Sequence, residues 1–295
     1  MLIPQVAILK PGKVDVAAVY QHAAAQSGFR RLSEAQQKTL DAGSKELLSL
    51  RSEVYTACNL PSTPSSEDAA TALIKYYKAL QLVSERVDST KQKELVFRWV
   101  ASAKSSNTPL ESNAAQFELC ALLFNLAVIY AAIAAQAAED RSVESLREGA
   151  KGYQTSAGFY RALHKVVTTN MEENHQWKDE NSRFEPRYVQ ALETVMLANA
   201  QCLFYELGSS SSLSDDSVAK IAAGTKDLYN LAVKKLKECP NKPEDLEIAC
   251  QIMAVYFEAE AESRMALFHE AEQDMAPRLK RLDTSLKLVY KARAT

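Results

Sequence analysis

The sequence predicts a mainly α protein, an irregular helical-repeat solenoid with a small β-sheet near its N-terminus. Three observations predict it. Only 8 glycines and 9 prolines interrupt 295 residues in which Ala, Leu, Lys, Glu and Gln abound, a composition that favours long helices over an α/β sheet. Apolar residues recur at helical spacing in eight segments, near 14–26, 30–58, 66–87, 110–139, 143–171, 185–207, 214–238 and 243–292, joined by short breaks. Two stretches, "IPQVAILKPGK" (Ile3–Lys13) and "KELVFRWVAS" (Lys93–Ser102), instead alternate β-branched and aromatic residues as strands do, and are expected to pair across the helices between them.

Each break has a local cause. "NLPSTPSSED" (Asn59–Asp68) combines two prolines with the candidate N-caps Ser65, Ser66 and Asp68. "GSSSSLSDD" (Gly208–Asp216) offers a glycine stop and a flexible serine run. Ser214 follows as an N-cap, with Asp215 and Asp216 at the positive end of the next helix dipole. "ECPNKPED" (Glu238–Asp245) ends one helix and begins another. Successive helices with short connections stack as solenoids do, although no strict repeat period is present.

The segment "FELCALLFNLAVIYAAIAAQAAED" (117–140) raises a separate question, because from Leu119 to Ala135 only Asn125 is strongly polar. A bilayer span needs about 20 apolar residues. This run is shorter, rich in alanine, flanked by Glu118, Glu139 and Asp140, and without a Lys/Arg cluster on either side. It reads as a buried helix with a bulky face (Leu122, Leu126, Ile129, Ile133) and a small face (Ala127, Ala131, Ala134, Ala138), approachable by neighbours from both sides.

Composition narrows the function. Thirty-five basic against 37 acidic residues give a net charge of −2, which does not point to nucleic acid, so a charged partner has to be met by a local patch. Five widely spaced cysteines (Cys58, Cys120, Cys202, Cys239, Cys250) suit a reduced, cytosolic interior, and the first ten residues lack the pattern of a signal peptide. Membrane contact is therefore expected to be peripheral at most.

Signatures of catalysis are sparse. No phosphate-binding glycine loop and no GxSxG occur, and "HEAEQ" at His269 lacks the second histidine of a zinc-binding helix. His22 and His164 stand alone, and "MEENHQWKDENSR" (Met171–Arg183), which gathers Glu172, Glu173, His175 and Asp179, has no metal-ligand spacing and reads as a solvated acidic loop. The methionines and aromatics of "ESRMALFHEAEQDM" are explained by packing. Neither cofactor nor metal is expected, and a binding scaffold is the leading class, because helical solenoids act through their extended faces.

Several stretches together resemble the Bro-one (BRO) domain family. "FELCALLFNLAVIYAAIAAQ" is similar to its signature helix, "LREGAKGYQTSAGFYRAL" (Leu146–Leu163) to the helix after it, "LETVMLANAQCLFYELG" (Leu192–Gly208) to its Met-Leu-Ala-x-Ala-Gln-x-x-Phe helix, and "SVAKIAAGTKDLY" to the element that follows. "VDVAAVY", "LIKYYKAL" and "LVFRWVAS" resemble its opening segment, its Tyr-Tyr helix and its strand, so that the match runs from about Leu2 to Tyr290. The resemblance implies a curved, TPR-like helical solenoid with a small sheet near one end, one domain over 1–295 without the family's usual C-terminal extension. The implied function is that of a non-enzymatic adaptor that docks the amphipathic C-terminal helix of an ESCRT-III subunit, cytoplasmic and recruited peripherally to endosomal membranes where vesicles are sorted. The family's apolar patch carries over to Phe204, Ile221 and Ser217, with Lys220 beside them. Ser217 stands where a bulky aliphatic is usual, a loss of apolar contact worth about 1–2 kcal/mol. Val218 is expected to point to the core, Val143 replaces an acidic residue, and Leu119 replaces a basic one. These departures keep open a second reading, a scaffold of the same fold with a changed partner in GTPase-linked, pH-signalling or cytoskeletal work. The end "YKARAT" has no cysteine for prenylation.

Overall fold

The computed structural model describes residues 9–11, 33–59, 67–85, 96–101, 110–112, 114–174, 184–240 and 242–294. The predicted helix 14–26 and most of the acidic loop at 171–183 lie outside them. Among the described residues the order is β1 (Leu9–Pro11), α1 (Glu34–Asn59), α2 (Glu67–Ser84), β2 (Phe97–Ala101), β3 (Leu110–Ser112), α3 (Ala115–Ala137), a 3-10 turn (Ala138–Asp140), α4 (Val143–Asn174), α5 (Pro186–Ser209), α6 (Asp215–Lys237), α7 (Glu244–Ala271) and α8 (Met275–Ala294). The protein is mainly α, as the composition predicts. It divides into two compact units, Ala7–Ile129 and Tyr130–Thr295.

In the first unit the two predicted strands do pair. β1 runs antiparallel to β2, with Lys10 opposite Val100, and β3 joins the other edge of β2, with Arg98 opposite Glu111. The third strand corrects the expectation of a helix from residue 110. Leu110–Ser112 extend along β2, and the helix starts only after Ser112 Oγ accepts the Ala114 N–H at 3.1 Å. Alternation in β2 buries Phe97 and Trp99 while Val96 and Arg98 face solvent. Helix α1 opens with a capping box, Ser33 Oγ accepting from Gln36 N and Gln36 Oε1 accepting from Ser33 N. It packs on β1 and α2. At the centre of the unit Arg51 Nε lies 2.6 Å from Glu118 Oε1, both buried, Trp99 Nε1 donates to the other carboxylate oxygen, and the guanidinium lies 5.6 Å from the Trp99 ring centroid. Burial pushes the Glu118 carboxyl up despite the adjacent guanidinium.

Helix α3 answers the question its composition raised. It is long and apolar enough to cross a membrane by length and composition, yet 83% of its most apolar window is buried inside the protein. Asn125, the polar exception, is buried and donates to Cys58 Sγ at 3.6 Å.

In the second unit each helix packs on the next, α4 on α5, α5 on α6, α6 on α7 and α7 on α8. The small face of α3 is used at its C-terminal end. Cβ atoms added at Gly149 and Gly152 of α4 would stand 2.9 Å from Ala134 O and 2.8 Å from Ala134 Cβ, a backbone approach that only residues without side chains permit. The expected single helix over 243–292 is two helices. Gln273 takes φ 59°, Asp274 N donates to His269 O and Gln273 N to Glu270 O, which is a Schellman stop built on glutamine in place of glycine. α8 then returns along α7 through Arg281–Glu262 (2.8 Å), Arg278–Glu270 (2.9 Å) and Ser285 Oγ donating to Ala259 O. The core between α5, α6 and α7 is aromatic: Tyr229 stacks on Phe257, Tyr205 meets the same ring edge-on, and the Tyr229 hydroxyl donates to Asn199 Oδ1 at 2.9 Å.

Candidate functional site

The α5–α6 connection builds the site. α5 begins on Pro186 with the Glu185 carboxylate accepting from Tyr188 N, and its apolar face buries Val195, Met196, Cys202, Leu203 and Tyr205. Phe204 is set off from that face and is 37% exposed. One turn on, Gly208 is not the expected stop, because the helix continues through Ser209 and its C-cap Ser210 has φ −93°. The serine run is an ordered cap: Ser210 Oγ donates to Glu206 O and Ser211 Oγ to Gly208 O. Gly208 is instead the seat for two aliphatic side chains, since a Cβ there would stand 3.1 Å from Ile221 Cδ1 and 3.6 Å from Leu213 Cδ1.

Phe204 and Gly208 share one face of α5 at i and i+4. Ile221, half-buried, therefore comes down one turn from Phe204, and exposed Leu213 closes the same end. Val218 points to the core, as the helical period requires. Ser217 is the third residue of α6, where its N–H donates to Ser214 Oγ and its hydroxyl shares a 2.9 Å hydrogen bond with that oxygen. Its small polar side chain thus serves the helix start. Lys220 is exposed, with Nζ 2.8 Å from Asp216 Oδ2, one turn back. The structure seats Ile221 against Gly208, one helical turn beyond Phe204 on α5, and sets Ser217 and Lys220 one turn and one residue before Ile221.

Polar contacts fix this corner from below. Tyr205 donates its hydroxyl to Glu260 of α7, and Arg264 Nη1 lies 3.2 Å from Asp215 Oδ1, pinning the first turn of α6 to α7. The Tyr205 hydroxyl also holds the Arg264 guanidinium more firmly protonated, while burial raises the pKa of the phenol itself. Arg141, in the left-handed region at φ 58°, pairs with Glu206 beside Phe204. Val143 is exposed at the start of α4, and Leu119 is buried in α3. Gly208 and Leu213 were not singled out from sequence as site residues. The signal for them, an i+4 step from an exposed aromatic to glycine followed by a leucine in a serine run, has meaning only once α6 is folded back.

The remaining chemistry is quiet. Among the described residues no group of three or more His, Cys, Asp or Glu is arranged to hold a metal ion. All five cysteines are buried thiols outside any disulfide, and burial pushes the thiols of Cys58, Cys202 and Cys250 up to about 12, which leaves them protonated at neutral pH.

A mainly α protein whose successive helices pack each on the next, with part-exposed apolar residues at the α5–α6 connection, is the class that this fold and corner define. The family described as BRO1-like domain matches residues 29–295, and the chain belongs to it. It is 27% identical over 259 residues to apoptosis-linked gene 2-interacting protein X 1 of Caenorhabditis elegans, covering 82% of this chain and 28% of that protein. It is 26% identical over 139 residues to the pH-response regulator protein palA/RIM20 of Pyricularia oryzae, covering 47% of this chain and 16% of that protein. The chain thus spans about a quarter or less of the length of these relatives. Among solved structures, that of the ALIX BRO1 CHMP4C complex superposes with a TM-score of 0.81 at 21% identity, covering 98% of this chain and 80% of that one. Another, described as the structure basis for endosomal targeting by the Bro1 domain, superposes at 0.77 and 16% identity, covering 99% and 78%. At these identities the likeness is one of fold.

Proposed function

We propose that this chain is a non-enzymatic adaptor domain that docks the amphipathic C-terminal helix of an ESCRT-III subunit, through Phe204, Ile221, Ser217 and Lys220. The observation that supports the reading is part-exposed Phe204 one helical turn before Gly208, against which the half-buried Ile221 of the next helix is seated. An amphipathic helix buries anchors at i, i+3 and i+4 in such a patch, and a charge at the rim, here Lys220, sets its direction. The family and the existence of an ALIX BRO1 CHMP4C complex support this choice of partner. The proposed setting is cytoplasmic, with peripheral recruitment to endosomal membranes, and a single domain over 1–295. The test is capture of fluorescent C-terminal peptides from ESCRT-III subunits by the parent protein and by Phe204→Ala and Ile221→Asp, with the two variants expected to lose capture.

One observation favours a second reading, a scaffold of the same fold with a different partner. Ser217 offers a hydroxyl bonded to the Ser214 cap where the family's patch has a bulky aliphatic, so the third apolar contact of the patch is missing. Affinity capture with mass spectrometry separates the readings, because ESCRT-III subunits as main partners count against the second.

A further inference from the structure

The start of α1 carries a motif that the proposed docking corner does not use. The stretch "RRLSEAQQ" (Arg30–Gln37) sets two arginines three and two residues before Ser33, and no other Ser or Thr in the sequence follows a pair of adjacent basic residues at that distance. Arg30, Arg31 and Leu32 lie outside the described residues and enter as sequence alone. Ser33 is exposed and caps α1, its Oγ accepting from Gln36 N at 3.3 Å and its own N–H donating to Gln36 Oε1 at 2.9 Å. Every residue from Ser33 to Thr39 is exposed, and the helix first enters the core at Ser44 and Leu47. Its first two turns are therefore held by local hydrogen bonds, the cap and the pairs Gln37–Asp41 and Thr39–Ala35.

This arrangement suits the acceptor of a protein kinase that selects basic substrates. Such a kinase meets the two guanidinium groups with carboxylates, a charge pattern that discriminates its substrates from others. The residues it reads precede Glu34, the first helical residue, so the segment can be taken in extended form without unwinding α1 beyond its cap. In the cap Ser33 Oγ acts as acceptor, which leaves its own proton free to be transferred. The product is favoured as well. A phosphate puts about −1.5 to −2 charges at pH 7 on the positive end of a 26-residue helix, and its oxygens can take over the Gln36 N–H from the hydroxyl.

We propose that Ser33 is a phosphorylation site for a kinase selecting basic substrates, read through Arg30 and Arg31, and that its phosphate tightens the start of α1. In the transfer Ser33 Oγ attacks the γ-phosphorus of magnesium-bound ATP, the bond to the ADP oxygen breaks as the new O–P bond forms, and the hydroxyl proton passes to the kinase's catalytic carboxylate. The proposal is independent of the docking corner. It is tested by treating the folded full chain with the catalytic subunit of cAMP-dependent protein kinase and ATP, mapping the phosphate by mass spectrometry and checking the fold of each variant by circular dichroism. The expected result is one phosphate, on Ser33. Ser33→Ala should remove it, Ser33→Thr should keep both cap and acceptor and restore it, and Arg30→Ala with Arg31→Ala should lower kcat/KM by at least about tenfold. Phe204→Ala should be phosphorylated like the parent. In the phosphorylated chain, hydrogen exchange at the Gln36 and Gln37 amides should slow by about two- to fivefold. Three results overturn it: phosphate incorporation that persists in Ser33→Ala, incorporation into a synthetic peptide spanning Gly28–Lys38 but not into the folded chain, or exchange at the first turn of α1 that is unchanged or faster after phosphorylation.

Discussion

Ile221 Cδ1 lies 3.1 Å from the point where a Cβ on Gly208 would stand, so α6 closes on the end of α5 through a residue that has no side chain. Gly208→Ala sets two effects against each other. Alanine gains up to about 1 kcal/mol of helix propensity, and the Ile221 terminal methyl must retreat by a few tenths of an ångström. We predict a melting temperature within a few degrees of the parent together with weaker binding of the partner helix, since the displaced group belongs to the patch. Thermal denaturation and peptide titration on the same preparation check both halves.

Phe204 and Phe257 are both aromatic residues of the second unit but differ in burial, the first part-exposed and the second fully buried between Tyr205 and Tyr229. Phe257→Ala should cost about 3–5 kcal/mol in urea denaturation. Phe204→Ala and Ile221→Asp should leave the melting temperature within a few degrees while removing capture of the partner helix. Large stability losses in both patch variants would show them to be ordinary packing residues.

Ser217→Leu is predicted to restore the missing apolar contact. Ser214 keeps its role as N-cap, so the helix start survives, and binding of an ESCRT-III C-terminal peptide should tighten by about 1–2 kcal/mol, roughly five- to thirtyfold. Unchanged affinity would move the peptide away from this turn of α6.

The buried Arg51–Glu118 pair predicts a non-additive double-mutant cycle. Arg51→Met or Glu118→Leu alone strands a charge in the core and should cost about 3–5 kcal/mol, and the double replacement should recover much of that loss. Chemical denaturation of the four proteins gives the coupling directly.

Thiol titration supplies a fifth check. With the thiols of Cys58, Cys202 and Cys250 pushed up to about 12 by burial, the thiolate fraction at pH 8 is on the order of one in ten thousand. Ellman's reagent should react slowly with the native protein, faster as pH rises, and at once with all five cysteines in urea.

What was legible in the sequence follows from which signals are local. Helical period, the Ser214 cap and the alternation of β2 are encoded within a few residues, and α4 to α6 fall where the pattern predicts them. β3 was missed because Leu110–Ser112 form a strand only by pairing with β2, a contact more than ten residues away in sequence. The α7–α8 break was missed because Gln273 takes a left-handed conformation that glycine would have announced. Alone, a glycine before a serine run signals a helix stop; the use of Gly208 as a seat for Ile221 is written in a helix that comes later. Phe204 and Ile221 were reached through family resemblance, since helical period by itself assigns apolar residues to the core.

Isothermal titration of the full chain with C-terminal peptides from each ESCRT-III subunit of the same organism tests the docking proposal most directly. The predicted result is saturable binding of at least one peptide that Phe204→Ala abolishes. No heat of binding with any peptide up to millimolar concentration, or binding that Phe204→Ala and Ile221→Asp both leave intact, would contradict it.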